Sequence, residues 1–206
     1  KKVMACFVKL IPFIFHFAAG VYGKDGCDLG LPLDEQFRIA CKRGWSNDPD
    51  DPGGATMVDV TIGAYADFRR SKGLDLPGEN DLRQIAFDEW REILKTMYWD
   101  TWNADYIESQ GLANLLVDWV WASGPKSIKR AQKVIGVKAD GIVGDKTLSA
   151  VNGKDPEMLF SMIRNARESH YRSCRGAWKY LRGWLRRLDA IRPDGTFVIY
   201  GRTIGG

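Results

Sequence analysis

The sequence predicts a mainly helical protein, and three observations carry that prediction. Apolar residues recur every three to four positions in one stretch after another, the spacing that puts them on one face of a helix. Glycine and proline cluster between those stretches, where they break or cap them. Only 196–200, Thr-Phe-Val-Ile-Tyr, has the β-branched and aromatic content of a short strand.

In order along the chain, the first helix is expected over 10–17, with Pro12 near its start, where a missing N–H costs nothing. A Gly- and Asp-containing stretch, 20–32, follows. The next helix, 33–43, carries Asp34 and Glu35 in its first turn, the acidic end a helix dipole favours. Residues 46–54 hold two prolines and two glycines and form a polar loop. Helical patterning resumes over 61–72, ends at Gly73, reappears briefly at 81–85, and is clear over 87–98. The aromatic cluster Tyr98-Trp99-Asp100-Thr101-Trp102 comes next. Segment 110–123 is nearly uncharged and apolar on almost all sides, as a buried central helix must be. Asp118 in its middle reads as a buried carboxylate with satisfied hydrogen bonds rather than a catalyst. After Gly124-Pro125, helices are expected over 128–135, 147–151, 155–171 and 178–191.

The 206 residues are 45% apolar and 27% charged, a globular balance that excludes wholesale disorder. Net charge is only +4, but Arg164, Arg167, Arg172, Arg175, Lys179, Arg182, Arg186 and Arg187 crowd the end of the chain. They read first as a solvated helix face. The functional alternative is an anion-facing surface for nucleic acid or an acidic wall polymer. No aromatic-rich nucleic-acid signature accompanies them, so nucleic-acid binding is not expected. Cys6, Cys27, Cys41 and Cys174 lack metal-ligand spacing, and His16 and His170 do not complete one. No metal or cofactor is therefore expected, while disulfides and free thiols both stay open. The apolar run 3–19 after Lys1 and Lys2 imitates a signal peptide. Lys9, Pro12 and His16 interrupt it, and it is short for a membrane span. It reads instead as part of a buried first helix.

The loop Asn47-Asp48-Pro49-Asp50-Asp51-Pro52-Gly53-Gly54-Ala55-Thr56, continuing to Val60-Thr61, is the most informative stretch. Glycosidic cleavage wants carboxylates on a stiff turn, to stabilise an oxocarbenium-like transition state or activate water, with hydroxyls to position that water. An Asx-rich connection or a calcium loop would use similar residues. The prolines break the alternating-ligand pattern that calcium needs.

This loop, together with Leu10-Ile11-Pro12-Phe13-Ile14, Val60-Thr61-Ile62, Tyr98-Trp99-Asp100, 113–124 and the run Asp140-Gly141-Ile142-Val143-Gly144-Asp145-Lys146-Thr147-Leu148, resembles glycoside hydrolase family 108. These are bacterial and phage N-acetylmuramidases with a C-terminal peptidoglycan-binding module. The resemblance implies a lysozyme-like helical domain over 1–123, a small helical peptidoglycan-binding module over 124–192 and a tail over 193–206. It implies hydrolysis of the β-1,4 bond between N-acetylmuramic acid and N-acetylglucosamine. Peptidoglycan strands would be the partner of a monomer acting at the cell wall, in the periplasm or outside the cell. Export would need a route that the sequence does not reveal.

The family's general acid is a glutamate at the end of the first helix, in a Glu-Gly-Gly or Glu-Ala-Gly context. In the preferred register that position is Ala18. A second register, without an insertion before the loop, places Lys42-Arg43-Gly44-Trp45 there. Neither has an acid, and a glycosidase needs a protonated carboxyl beside the leaving oxygen. Three accounts follow: a deliberately replaced acid, a wall-binding pseudoenzyme, or an acid supplied elsewhere. Asp59, where the family has glycine, and Glu35 are the nearby alternatives. By the same resemblance Asp51 would be the transition-state or water-activating carboxylate, and Thr56 or Thr61 would orient water. Asp48 would shape the loop or touch substrate. Trp99, Trp102, Trp119 and Trp121 would either stack on sugars or pack the core.

Overall fold

The computed structural model describes residues 3–21 and 30–205. Ten α-helices and two small antiparallel sheets make up the described chain. It divides into two compact units, Leu10–Met97 and Lys1–Lys9 with Tyr98–Gly206.

In the unit Leu10–Met97, α1 (Ile11–Ala19) begins with proline in its first turn and stops at Gly20. Gly20 adopts φ +60° and donates its N–H to the His16 carbonyl, a left-handed cap that glycine takes without strain. Helix α2 (Leu33–Arg43) packs on α1, with acids in its first turn and Lys42 and Arg43 in its last, matching the helix dipole at both ends. Gly44 then lets the chain leave α2. A Cβ there would lie 2.9 Å from both the Ala40 carbonyl oxygen and Val58 Cγ2.

Strands β1 (Trp45–Ser46), β2 (Thr56–Met57) and β3 (Val60–Thr61) pair antiparallel in that order. Two residues each, they are too short to show a period of two in the sequence, which is why none of them is expected there. Val58 and Asp59 join β2 to β3 with φ of 46° and 62°, the doubly positive turn that matches hairpin twist. A β-branched residue in that region is strained by about 1–2 kcal/mol. Val58 is held there by complete burial and two hydrogen bonds. Its N–H donates to the Gly44 carbonyl at 2.9 Å, and its carbonyl accepts the Trp90 indole N–H at 2.9 Å.

Helices α3 (Ile62–Ser71), α4 (Glu79–Arg83) and α5 (Phe87–Leu94) complete this unit. Phe15, Phe37, Phe87 and Trp90 form its aromatic core, ring centroids 5.0 to 6.4 Å apart. The helix expected over 87–98 ends at Leu94 and passes into a wider π-type turn, Lys95–Trp99. A π turn carries an extra residue per turn and so re-aims the side chains after it.

The second unit is built on α6 (Gln110–Ser123), in which every residue from Gly111 to Trp121 is buried. Helices α7 (Lys126–Ile135), α8 (Asp145–Asn152), α9 (Pro156–Ser173) and α10 (Ala177–Ala190) follow. The strand expected near 196–200 is β4 (Phe197–Ile199), which pairs with an unforeseen β5 (Arg202–Ile204). The Asp140-Gly141 turn hangs on Gln132, whose amide oxygen accepts the Gly141 N–H at 2.8 Å and whose amide nitrogen donates to the Ile142 carbonyl at 2.9 Å. Cys6, Cys41 and Cys174 are free thiols, and burial pushes the Cys41 thiol up to about 11. Cys27 and most of 20–32 lie outside the described residues.

Asp118 is fully buried and faces two guanidinium groups. Arg167, also fully buried, donates to Oδ2 at 2.5 Å, and Arg187 to Oδ1 at 2.7 Å. Arg167 also donates to the Leu115 carbonyl at 3.0 Å and the Tyr171 hydroxyl at 2.8 Å. The expectation of a satisfied buried carboxylate holds. Burial alone would raise the Asp118 carboxyl, but Arg187 and Arg167 together hold it below the usual carboxylate range.

Two stability predictions follow from these contacts. Trp90→Phe leaves the buried Val58 carbonyl without its donor and should cost about 1–3 kcal/mol, read as a lower urea midpoint. Asp118→Asn leaves the fully buried Arg167 guanidinium without its carboxylate and should cost about 3–5 kcal/mol. Because the native carboxyl titrates low, its contribution is present above about pH 4 and fades as pH falls through the native value. Acid-unfolding curves of Asp118→Asn should therefore lack that part of the acid limb.

Candidate functional site

Helix α2, the loop after it and the β2–β3 hairpin together form the candidate site. Asp48 folds the loop on itself. Its Oδ1 accepts the Asp50 N–H at 3.0 Å, and its carbonyl accepts the Asp51 N–H at 2.9 Å. Half-buried Asp51 accepts the Gly53 N–H on Oδ1 at 2.8 Å, and its carbonyl accepts the Gly54 N–H at 3.1 Å. Such Asx turns fix a carboxylate's direction without any helix or strand. A Cβ at Gly53 would sit 3.1 Å from Asp51 Oδ1 and 3.3 Å from Thr61 Cγ2, so glycine leaves room for those two side chains to flank one spot.

Thr56 and Thr61 are direct cross-strand partners, so the hairpin brings together the two hydroxyl residues singled out from the sequence. The Thr61 hydroxyl has a structural task as well. It accepts the Ala64 N–H at 3.0 Å and caps α3. Asp59 occupies the left-handed turn where the resemblance puts glycine, a conformation that aspartate tolerates better than most residues. Glu35 stands exposed in the first turn of α2, away from the end that meets the loop.

The two candidate acid positions lie at neighbouring helix ends. Ala18 is half-buried in the last turn of α1, and Lys42 is exposed in the last turn of α2. Arg43 donates to the Gly20 carbonyl at 3.2 Å, tying the end of α2 to the cap of α1. Both positions are at helix C-termini, where the negative end of the dipole favours a proton on a carboxyl. Sequence reasoning overlooked Glu79, at the start of α4, whose Oε1 lies 3.4 Å from the Asn47 amide nitrogen. No short-range motif marks it, because the contact spans 32 positions. It also overlooked Trp45, whose ring carries the Arg83 guanidinium at 3.6 Å.

The four tryptophans named from the sequence belong to the other unit and are packing groups there. Trp99 and Trp102 are 0% exposed, Trp119 1% and Trp121 9%, leaving no ring face for a sugar. The Trp99 indole donates to Asp105 at 2.7 Å, Trp119 donates to His170 at 3.2 Å, and Trp121 meets the Tyr98 ring edge to face. Large aromatic side chains in this much apolar sequence are core before they are site.

A helical body, a carboxylate loop opening into a hairpin and a second helical segment make up a lysozyme-like fold. Residues 40–124 match the family described as glycosyl hydrolase 108, and residues 126–189 match a predicted peptidoglycan domain. The fold is shared with a solved structure titled "Structure of Brucella abortus SagA", at 24% identity, a TM-score of 0.70 and 92% of each chain covered. A search of curated proteins gave no match. The chain is thus peptidoglycan-directed, with the cell wall as its place of action. Among the described residues no helix is long and apolar enough to cross a membrane.

The cap at Thr61 gives a prediction that separates its structural task from any catalytic one. Thr61→Ala should lower stability by about 0.5–2 kcal/mol, while Thr61→Ser, which keeps the acceptor, should unfold close to the parent in urea.

Proposed function

We propose that this protein engages peptidoglycan as an N-acetylmuramidase would, at the β-1,4 bond between N-acetylmuramic acid and N-acetylglucosamine, but without the general acid that cuts it. One observation carries the reading. Helix α2 runs directly into the carboxylate loop, and the family segment begins at residue 40, inside that helix. This supports the second register, in which Lys42-Arg43-Gly44 stands where the family has Glu-Gly-Gly. Asp51 is then nine positions beyond the acid position, 42 to 51, the spacing of the family pattern. The first register, through Ala18, leaves the acid position outside the matched segment.

In this reading Asp51 supplies the carboxylate that faces positive charge developing at the sugar. Thr56 orients water, with Thr61 holding the hairpin against α3. Asp48 keeps the loop closed. The cationic Lys42 cannot serve as the missing carboxyl, because a glycosidase needs a carboxylic acid beside the leaving oxygen. The body then grips glycan, and the C-terminal segment adds affinity for the wall. Loss of a general acid costs about 10²–10⁴ in rate.

Digestion of purified peptidoglycan, with products analysed by mass spectrometry, tests this. The parent chain should release no muropeptides ending in reducing N-acetylmuramic acid, and Lys42→Glu should release them. Release by Ala18→Glu alone would restore the first register. Cleavage by the parent would show that an acid is supplied from elsewhere, and Glu79, Asp59 and Glu35 would be replaced in turn.

A further inference from the structure

The eight basic residues between Arg164 and Arg187 are sorted by the structure into different roles. Arg167 and Arg187 are taken up by Asp118. Arg164 and Arg172 bond Glu168, and Arg164 also pairs with Asp189. Arg175, Lys179, Arg182 and Arg186 are all exposed, at successive spacings of four, three and four, 175 to 179 to 182 to 186. That spacing lays them along one side of α10 and the turn before it. Among the described residues no carboxylate pairs with Arg182 or Arg186.

Beside this stripe the side of α10 and the segment after it enclose a groove of about 490 Å³. Arg182, Arg186 and Arg192 line it, with Leu185 and Val198 as apolar surface and Asp189 as its single carboxylate. A guanidinium's flat fork suits a carboxylate or a phosphate, binding it through two parallel hydrogen bonds. The remaining lining decides between those two. A polymer of phosphodiesters offers charge alone and would gain nothing from Leu185 and Val198. A short peptide with several carboxylates and methyl side chains uses both the arginines and the apolar surface.

We propose that the α10 stripe and its groove bind the peptide stems of peptidoglycan, so that this segment recognises peptide-bearing strands rather than bare glycan. The assignment rests on the wall-directed reading above. The arginines take the stem carboxylates, and Leu185 and Val198 take the alanine methyls, while Asp189 stays paired with Arg164. Trp178, 78% exposed and one turn before Arg182, adds an aromatic plane next to the stripe.

Pelleting with three insoluble preparations tests this: intact sacculi, sacculi stripped of stems by an amidase, and sacculi freed of phosphodiester polymers by hydrofluoric acid. The parent chain should bind the first and third alike and the stripped glycan about tenfold more weakly. The double variant Arg182→Gln/Arg186→Gln should bind intact sacculi roughly tenfold more weakly and stripped glycan as the parent does. Both side chains are exposed, so its circular dichroism and melting curve should match the parent's, and Lys133→Gln on α7 should bind as the parent does. Equal binding of the parent to stripped and intact sacculi would overturn the assignment. So would loss of binding after hydrofluoric acid, which would identify a phosphodiester polymer as the occupant. A parent chain that binds none of the three would sink the wall-directed reading itself, and the stem assignment with it.

Discussion

Asp118 sits on a helix whose residues from Gly111 to Trp121 are all buried, so its charge must be answered from inside the protein. Arg167 from α9 and Arg187 from α10 answer it, and each is directed by further geometry. Arg167 is pinned on both sides, by the Leu115 carbonyl and the Tyr171 hydroxyl. A buried ion pair gains little over apolar packing in net free energy, but it is intolerant of misplacement, because a shifted helix strands a charge in the core. The packing of α9 on α6, and of α10 on α9, is therefore specified in register as well as in burial. The exposed side of α10 inherits that rigidity. Arg182 and Arg186 project from a helix that its own neighbour Arg187 anchors.

The other unit achieves precision by different means. Its loop has almost no regular structure, yet Asp48 and Asp51 hold it through backbone N–H groups, and Gly44 and Gly53 admit close approaches that no side chain would allow. The hairpin turn at Val58 and Asp59 is costly in backbone terms and is offset by burial and by the Trp90 hydrogen bond. A loop of this build keeps its carboxylates aimed through local hydrogen bonds alone.

Much of this was legible in the residues. Helix α2 spans the 33–43 read from its periodicity and end charges, and α6 spans 110–123, because a segment apolar on almost all sides with a single charge belongs in a core. The loop was legible as a carboxylate turn because proline, glycine and aspartate act locally. What could not be read was long-range or very short. Three strands of two residues carry no period, and Glu79 reaches Asn47 across 32 positions. The tryptophans stayed ambiguous for a related reason. A tryptophan near a loop in sequence looks like a sugar platform, and only the packed structure shows that Trp99 and Trp102 have no exposed face.

Gly111 has one more implication, for where this chain can be cut. A Cβ at that position would lie 2.2 Å from the Pro193 carbonyl oxygen, so the segment after α10 lies backbone to backbone on the central helix. Asn114 reaches the Gly195 carbonyl from the same helix, and Phe197 and Ile199 are buried beyond it. The family segment ends at residue 189, before any of these contacts. A fragment trimmed to that boundary would expose part of the helix on which the whole unit is assembled, so the domain as a physical object is longer than the domain as a family pattern.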